Sequence, residues 1–175
     1  MGELRMVVNH LKIDYNGPLD VHKLLALIEN FLWERGYDKQ QEKDFEQNTD
    51  KGRFIEWQYK PWKKITDYIR YMVKIRVLGY DLARIDTHVD GKKAKVDSGR
   101  IIVIIDGYME YDYDNKWDLN PLMELIRGVY DHFIYHTYTE RWEGRLTNDI
   151  NSLHDAIEKF LNMHRNYAVI SKKAP

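Results

Sequence analysis

Two histidines, His132 and His136, stand four residues apart, a spacing that lets two imidazoles reach one metal ion from a single helix face. Glu140, one turn further on, adds an oxygen donor to the pair. The glutamate that follows the first histidine of a zinc hydrolase is replaced by Phe133, and on a helical wheel both imidazoles fall beside Leu125 and Val129. They read as histidines bordering a core, and no metal or other cofactor is expected. His10, His22, His88, His154 and His164 are scattered along the chain.

Carboxylates concentrate in Asp112-Tyr113-Asp114-Asn115-Lys116-Trp117-Asp118. A calcium loop needs an oxygen ligand where Lys116 stands, together with a glycine at its sixth position and a glutamate at its twelfth, and this segment has neither. Acid-base chemistry of the glycosidase kind needs a second carboxylate across from the first. None can be placed, so the segment reads as the charged end of a strand. The chain carries no phosphate-cradling loop, dinucleotide fingerprint or nucleophile elbow. Without cysteine it has no disulfide, thiolate nucleophile or iron-sulfur ligand.

Trp57, Tyr59 and Trp62 interleave with Lys60, Lys63 and Lys64. Stacking aromatics among cations are what a single-stranded nucleic-acid surface uses. Alternation sends Trp57 and Tyr59 inward with Ile55, leaving Lys60, Trp62, Lys63 and Lys64 beside an exposed turn as the nucleic-acid candidates. The charge balance opposes that use, because 27 Lys plus Arg against 28 Asp plus Glu give a net charge of -1. Aromatic residues make up 13% of the chain, enough to complete a core or to wall an apolar ligand cavity. Trp57, Tyr59, Tyr71, Tyr111 and Trp142 are the residues expected to line such a wall.

These groups are positioned by elements that the hydrophobic period outlines. Leu11, Ile13 and Tyr15 alternate with polar neighbours as a strand with one buried face, and Asn16-Gly17-Pro18 predicts a turn after it. Asp20 is placed to cap a helix in which Val21, Leu24, Leu25, Ile28 and Leu32 share a face and Gly36 ends the run. From Tyr37 to Tyr113 the period is two. The weak polar stretch 38–51 reads as an edge strand, and Ile69, Tyr71, Val73, Ile75 and Val77 form an inward set continued by Ala83, Ile85, Thr87 and Val89. Asp90-Gly91 marks a two-residue hairpin loop. Asn120-Pro121 opens a helix, and from about Thr139 the stripe Trp142, Leu146, Ile150, Leu153, Ile157, Phe160 and His164 predicts a second helix of ~25 residues.

Hairpin parity makes a sharper demand. With Val89 opposite Lys92, paired numbers sum to 181, yet Val103, Ile105, Gly107, Met109, Tyr111 and Tyr113 have the wrong parity for the face of Ile69 to Val77. An extra residue is needed, and Asp97-Ser98-Gly99 is the expected site of the bulge. The sum then becomes 182, setting Arg76 opposite Asp106, Arg70 opposite Asp112 and Met72 opposite Glu110. Arg70 and Arg76 are neutralised in that register, so their face is not a nucleic-acid surface.

The element order predicts one α+β domain over residues 1–170, in which a curved antiparallel sheet packs against an N-terminal helix and a long C-terminal helix, with 171–175 a frayed tail. It resembles the helix-grip fold of START and Bet v1-like proteins, and that resemblance implies a curved sheet wrapped round the last helix, often with an apolar cavity between them. Tyr15-Asn16-Gly17-Pro18-Leu19-Asp20 with its helix and Gly36-Tyr37 is also similar to small uncharacterised archaeal proteins, a likeness that implies no activity. No apolar run approaches the roughly 20 residues that span a bilayer, and no signal-peptide pattern opens the chain, so a cytoplasmic location is expected. The functional expectation is a noncatalytic binding protein that works by contact with a protein partner or an apolar small molecule. An RNA- or ribosome-associated module using Trp62, Lys63 and Lys64, and an enzyme with a polar-lined cavity, are the alternatives. Met72, Ile102, Ile104 and Tyr108 share the sheet face turned from the helices, which predicts a homodimer.

Overall fold

The computed structural model describes residues 3–50, 52–89, 92–111, 113 and 135–171, with side chains left out at 3, 87–89, 92–94, 135–139 and 165–171. Eight elements follow in order: β1 (Glu3–Leu19), α1 (Val21–Glu34), β2 (Gln41–Thr49), β3 (Gly52–Tyr59), β4 (Trp62–Lys64), β5 (Ile69–Val89), β6 (Lys92–Tyr111) and α2 (Tyr135–Ser171). All six strands form one antiparallel sheet in the order β1-β6-β5-β3-β2, with the short β4 paired to β5 off that path. The α+β class and the antiparallel sheet stand as expected, but the sheet is flat and open, ending on β1 at one side and β2 at the other. A curved sheet gripping the last helix, and with it the helix-grip fold, is therefore incorrect. The edges never approach one another, because β2 lies beyond β3 with every residue exposed and the long helix packs near the opposite edge.

Local chemistry accounts for several boundaries. The Asp20 side chain accepts the Lys23 N–H at 3.1 Å, capping α1 as its position promised. Gly36 at φ +75° ends the helix in the left-handed region that glycine adopts without strain. Asn16-Gly17-Pro18 does not turn the chain. It continues β1, with Asn16, Gly17 and Pro18 opposite Arg100, Gly99 and Ser98, and Pro18 is tolerated because β1 is an edge strand. The C-terminal helix extends to 37 residues, running through the β-branched and aromatic stretch 135–139. The segment 114–134, with the predicted helix after Asn120-Pro121, and the tail residues 172–175 lie outside the described residues.

One sheet face is the core. Ile55, Trp57 and Tyr59 of β3, Ile69 to Val77 in odd steps on β5, and Ile101, Val103, Ile105, Met109 and Tyr111 of β6 meet Val21, Leu24, Ile28 and Leu32 of α1. They also meet the α2 stripe of Leu146, Ile150, Leu153, Ile157, Phe160 and Leu161. Each such aliphatic side chain contributes about 1.5–3 kcal/mol over its exposed state. α2 is seated tightly on the sheet at Gly107, where an added Cβ would stand 2.3 Å from Ile150 Cδ1.

The long β5-β6 hairpin contains the extra residue that parity required, on the other strand. Val89 pairs with Lys92 and Ala83 with Ser98, a sum of 181, while Tyr80 pairs with Arg100 and Ile69 with Tyr111, a sum of 180. Asp81 and Leu82 of β5 therefore share the place opposite Gly99, and Asp81 takes φ +52°. Leu82 becomes the buried residue, and Ala83 and Ile85 are exposed instead of continuing the inward set. In consequence Arg70 faces Glu110, Met72 faces Tyr108 and Arg76 faces Ile104, so the expected partners were each displaced by two residues. Asp81 is the better site because its strand neighbours leave room: a Cβ on Gly99 would stand 2.7 Å from the Tyr80 carbonyl oxygen, and one on Gly52 2.8 Å from the Asp81 carbonyl carbon.

Gly107→Ala is expected to cost about 1–3 kcal/mol in urea denaturation through overpacking against Ile150. Removing Cδ1 with Ile150→Val in the same chain should recover part of that loss, and strictly additive costs would show that this contact does not set the spacing between helix and sheet.

Candidate functional site

Two surfaces bring chemistry-bearing side chains together. The first is the sheet face turned from the helices. Its register lays Met6, Tyr108, Met72 and Trp62 in one row across β1, β6, β5 and β4, separated by the pair Asp106 and Lys74 from a row containing Lys12, Ile104, Arg76 and Gln58. Towards the β2 edge the rings of Phe45, Phe54 and Tyr80 follow one another, with centroids 6.3 and 5.3 Å apart. Leu4 and Met6 are 52% and 46% exposed at the β1 side.

Most charges on this face are paired within the chain, Lys74 being the exception among the described residues between Met72 and Arg76. Arg70 donates to Glu110 Oε2 from Nε at 2.9 Å and from Nη2 at 2.5 Å. Arg100 grips Asp14 with two bonds of 2.9 and 2.6 Å. Lys43 reaches Glu56 at 2.6 Å and Lys60 reaches Glu42 at 3.4 Å. Asp106, although buried, accepts the His10 backbone N–H at 2.8 Å and has the Arg76 guanidinium 3.5 Å away. His10 adopts φ +52° to make that bond, where β1 carries two residues, Asn9 and His10, against Asp106 alone. The expectation that Arg70 and Arg76 are neutralised in place holds, through Glu110 and Asp106.

The second surface is a cleft of about 370 Å³ where β4 and the start of β5 meet α2. Lys63, Lys64 and Ile65 form one wall, Trp142, Arg145, Asn148 and Asp149 another, and Tyr71 lies at the junction. On a helix, positions 142, 145 and 149 fall on one side, so a single stretch of α2 supplies the whole wall. The Tyr71 hydroxyl donates to the Trp142 carbonyl at 2.7 Å, fixing the helix to the sheet at this end. Asp149 accepts from Arg35 Nε at 3.2 Å and from the Tyr37 hydroxyl at 3.1 Å. Burial, reinforced by Asp149, pushes the Tyr37 phenol far above its ordinary value, and burial does the same at Tyr71. Both phenols are therefore neutral hydrogen-bond donors at every physiological pH. Lys63 Nζ donates to the Arg35 carbonyl at 2.6 Å, and Lys64 pairs with Asp67 at 2.7 Å. Arg145 lies over the Trp142 ring, 4.7 Å from its centroid, and among the described residues no carboxylate pairs with it.

The aromatics chosen for a ligand wall thus divide. Tyr71, itself only 2% exposed, and Trp142 come together in the cleft, Tyr59 lines a separate cavity of about 180 Å³ with Ile28, Leu32 and Tyr37 beside α1, and Trp57 and Tyr111 are buried in the core. Of the nucleic-acid candidates, Lys63 and Lys64 line the cleft, Lys60 is paired to Glu42, and Trp62 lies under Arg70 with the guanidinium 5.5 Å from its ring centroid. Arg145, Asn148 and Asp149 were not singled out in the sequence. The only signal for them was their helical spacing from Trp142. His132 and the side chain of His136 lie outside the described residues, as do Asp112, 114–118 and their carboxylates; among the described residues no cluster of three or more metal-ligating side chains forms.

Comparison with known proteins finds no match to any family model, any curated protein or any solved structure. The likeness to START and Bet v1-like proteins and that to small archaeal proteins are accordingly not upheld. Among the described residues no helix is long and apolar enough to cross a membrane.

The Arg100 pair holds the Asp14 carboxyl down at about 2, against an ordinary 3.8. A lowered carboxyl pKa stabilises the fold above the unfolded value and loses that contribution as pH falls through the folded one. Asp14 should therefore remain ionised through pH 3.8 and protonate near about 2 in a carboxyl-detected NMR titration. Arg100→Ala should raise the midpoint towards its ordinary value, Lys12 at 3.3 Å retaining part of the shift, and an unchanged midpoint would show that Arg100 is not the main cause.

Proposed function

We propose that this chain is a cytoplasmic, noncatalytic binding protein that self-associates as a homodimer through the sheet face opposite its helices. The carrying observation is the combination of an apolar row, Met6, Tyr108, Met72 and Trp62, with ion pairs already closed inside the chain. Burying a charge that lacks a partner costs several kcal/mol, whereas a face whose arginines keep their carboxylates can be covered without stranding them. A two-fold interface places the same patch on both sides, so it needs no complementary excess of charge. The close seating of α2 on the sheet at Gly107 supports contact between surfaces over enclosure of an apolar ligand.

Light scattering at micromolar concentration tests the reading. The expected mass is twice the 21.1 kDa of one chain, falling to 21.1 kDa in Met72→Glu and Ile104→Lys variants. A wild-type protein that is strictly monomeric, or a dimer indifferent to both substitutions, would overturn it.

A further inference from the structure

We propose that the cleft between β4 and α2 binds an organic phosphate, its phosphoryl oxygens taken by Lys63 and Arg145 and a planar ring of the ligand set against Trp142. The proposal is independent of self-association, since the cleft lies on the helix-bearing side of the sheet. Its basis is a contrast in how this protein disposes of cations. Arg53, Arg70, Arg76 and Arg100 each have a carboxylate within 3.5 Å, as do Lys39, Lys43 and Lys60. In the cleft Lys63 from β4 and Arg145 from α2 converge without a carboxylate of their own among the described residues, beside Asp149, which Arg35 and Tyr37 already occupy; Lys64 at the rim is held by Asp67 at 2.7 Å. The local charge is positive on a chain whose net charge is -1.

The donors are also available. An ammonium has three N–H groups and Lys63 spends one on the Arg35 carbonyl. Among the described residues the contact of Arg145 is with the Trp142 ring, 4.7 Å from Cζ to its centroid, and no carboxylate takes its N–H groups. A guanidinium fork matches two oxygens of a phosphate, and charge-assisted bonds of this kind are about twice as strong as neutral ones. Trp142 is half-buried and its backbone is fixed by Tyr71, so the ring is held in position without ligand. The volume of about 370 Å³ lies within the range of sites that take small organic ligands, at its lower end. A nucleoside monophosphate has this combination of size, charge and planar ring, whether free or as one unit of a single strand.

Calorimetric titration of the full chain at low salt, with adenosine monophosphate, inorganic phosphate and adenosine as separate probes, tests the proposal. The monophosphate should bind at least roughly tenfold more tightly than either phosphate or adenosine, since only it engages both halves of the cleft. Arg145→Ala, at an exposed position where folding should be unaffected, should weaken the monophosphate by roughly tenfold or more. Trp142→Leu should abolish the advantage of monophosphate over phosphate. A single-stranded oligoadenylate that competes for the same site and binds more tightly per site identifies a strand as the source; one that binds no better identifies the free nucleotide, and both outcomes support the shared chemistry. Absence of monophosphate binding at millimolar concentration, binding unchanged in both Arg145→Ala and Lys63→Ala, or inorganic phosphate binding as tightly as the monophosphate would overturn it.

Discussion

The structure depends on one extra residue in β5. A hairpin of two strands about twenty residues long cannot keep a single hydrophobic face if its turn and its far end demand opposite parity. Asp81 and Leu82 together opposite Gly99 resolve the conflict. Everything beyond the bulge, from Gly79 and Ile101 to Ile69 and Tyr111, then presents odd residues to the helices on both strands. Gly52 and Gly99 flank the bulge because the backbone at Asp81 fills the space a side chain would need. Three strands are thereby tied to a single irregularity, and the register of β3 also shifts there, between Arg53 and Ile55.

From that register come both surfaces. Odd residues carry α1 and α2, and Tyr71, the odd residue that emerges beside β4, anchors Trp142 and with it the wall of the cleft. Even residues form the opposite face, where Arg70 meets Glu110 directly and Arg76 reaches Asp106 on a diagonal. A slip of one residue would exchange the two sets, placing arginines against α2 and valines in water. The cleft and the apolar row are in this sense products of the same constraint.

Much of this was legible in the sequence wherever local chemistry decides. Asp20 and Gly36 bound α1 because a side-chain cap and a left-handed glycine act within one turn of chain. The alternation from Ile69 to Val77 and the stripe from Leu146 to Phe160 declare which side is buried. Parity alone required a bulge. Its placement on β5 was not legible, since Gly99 accommodates the irregularity of its neighbour and does not itself supply it. Asn16-Gly17-Pro18 carries turn residues but sits on an edge, where pairing with 98–100 outweighs local preference. Flatness is likewise a property of how strands pair along their whole length, which element order does not encode. The cleft was half visible: Trp142 and Lys63 stood out by type, but their meeting depends on α2 crossing β5 near Tyr71, a contact between residues 71 apart.

The irregularity in β1 at His10 bears on what the edge of the sheet can pair with. An edge strand offers a row of unpaired amide and carbonyl groups that another strand can extend without limit. Here the Asn9-His10 pair breaks that row, the His10 N–H is turned inward to Asp106, and Pro18 removes a donor near the other end. At the opposite side β2 is mostly polar and charged with no buried residue, Phe45 being its one large apolar side chain, set against Phe54. Neither rim is a good template for fibre growth. The homodimer proposed above, joined through the flat face, would end at two copies, and the same distortion that satisfies a buried aspartate closes one route to further growth along β1.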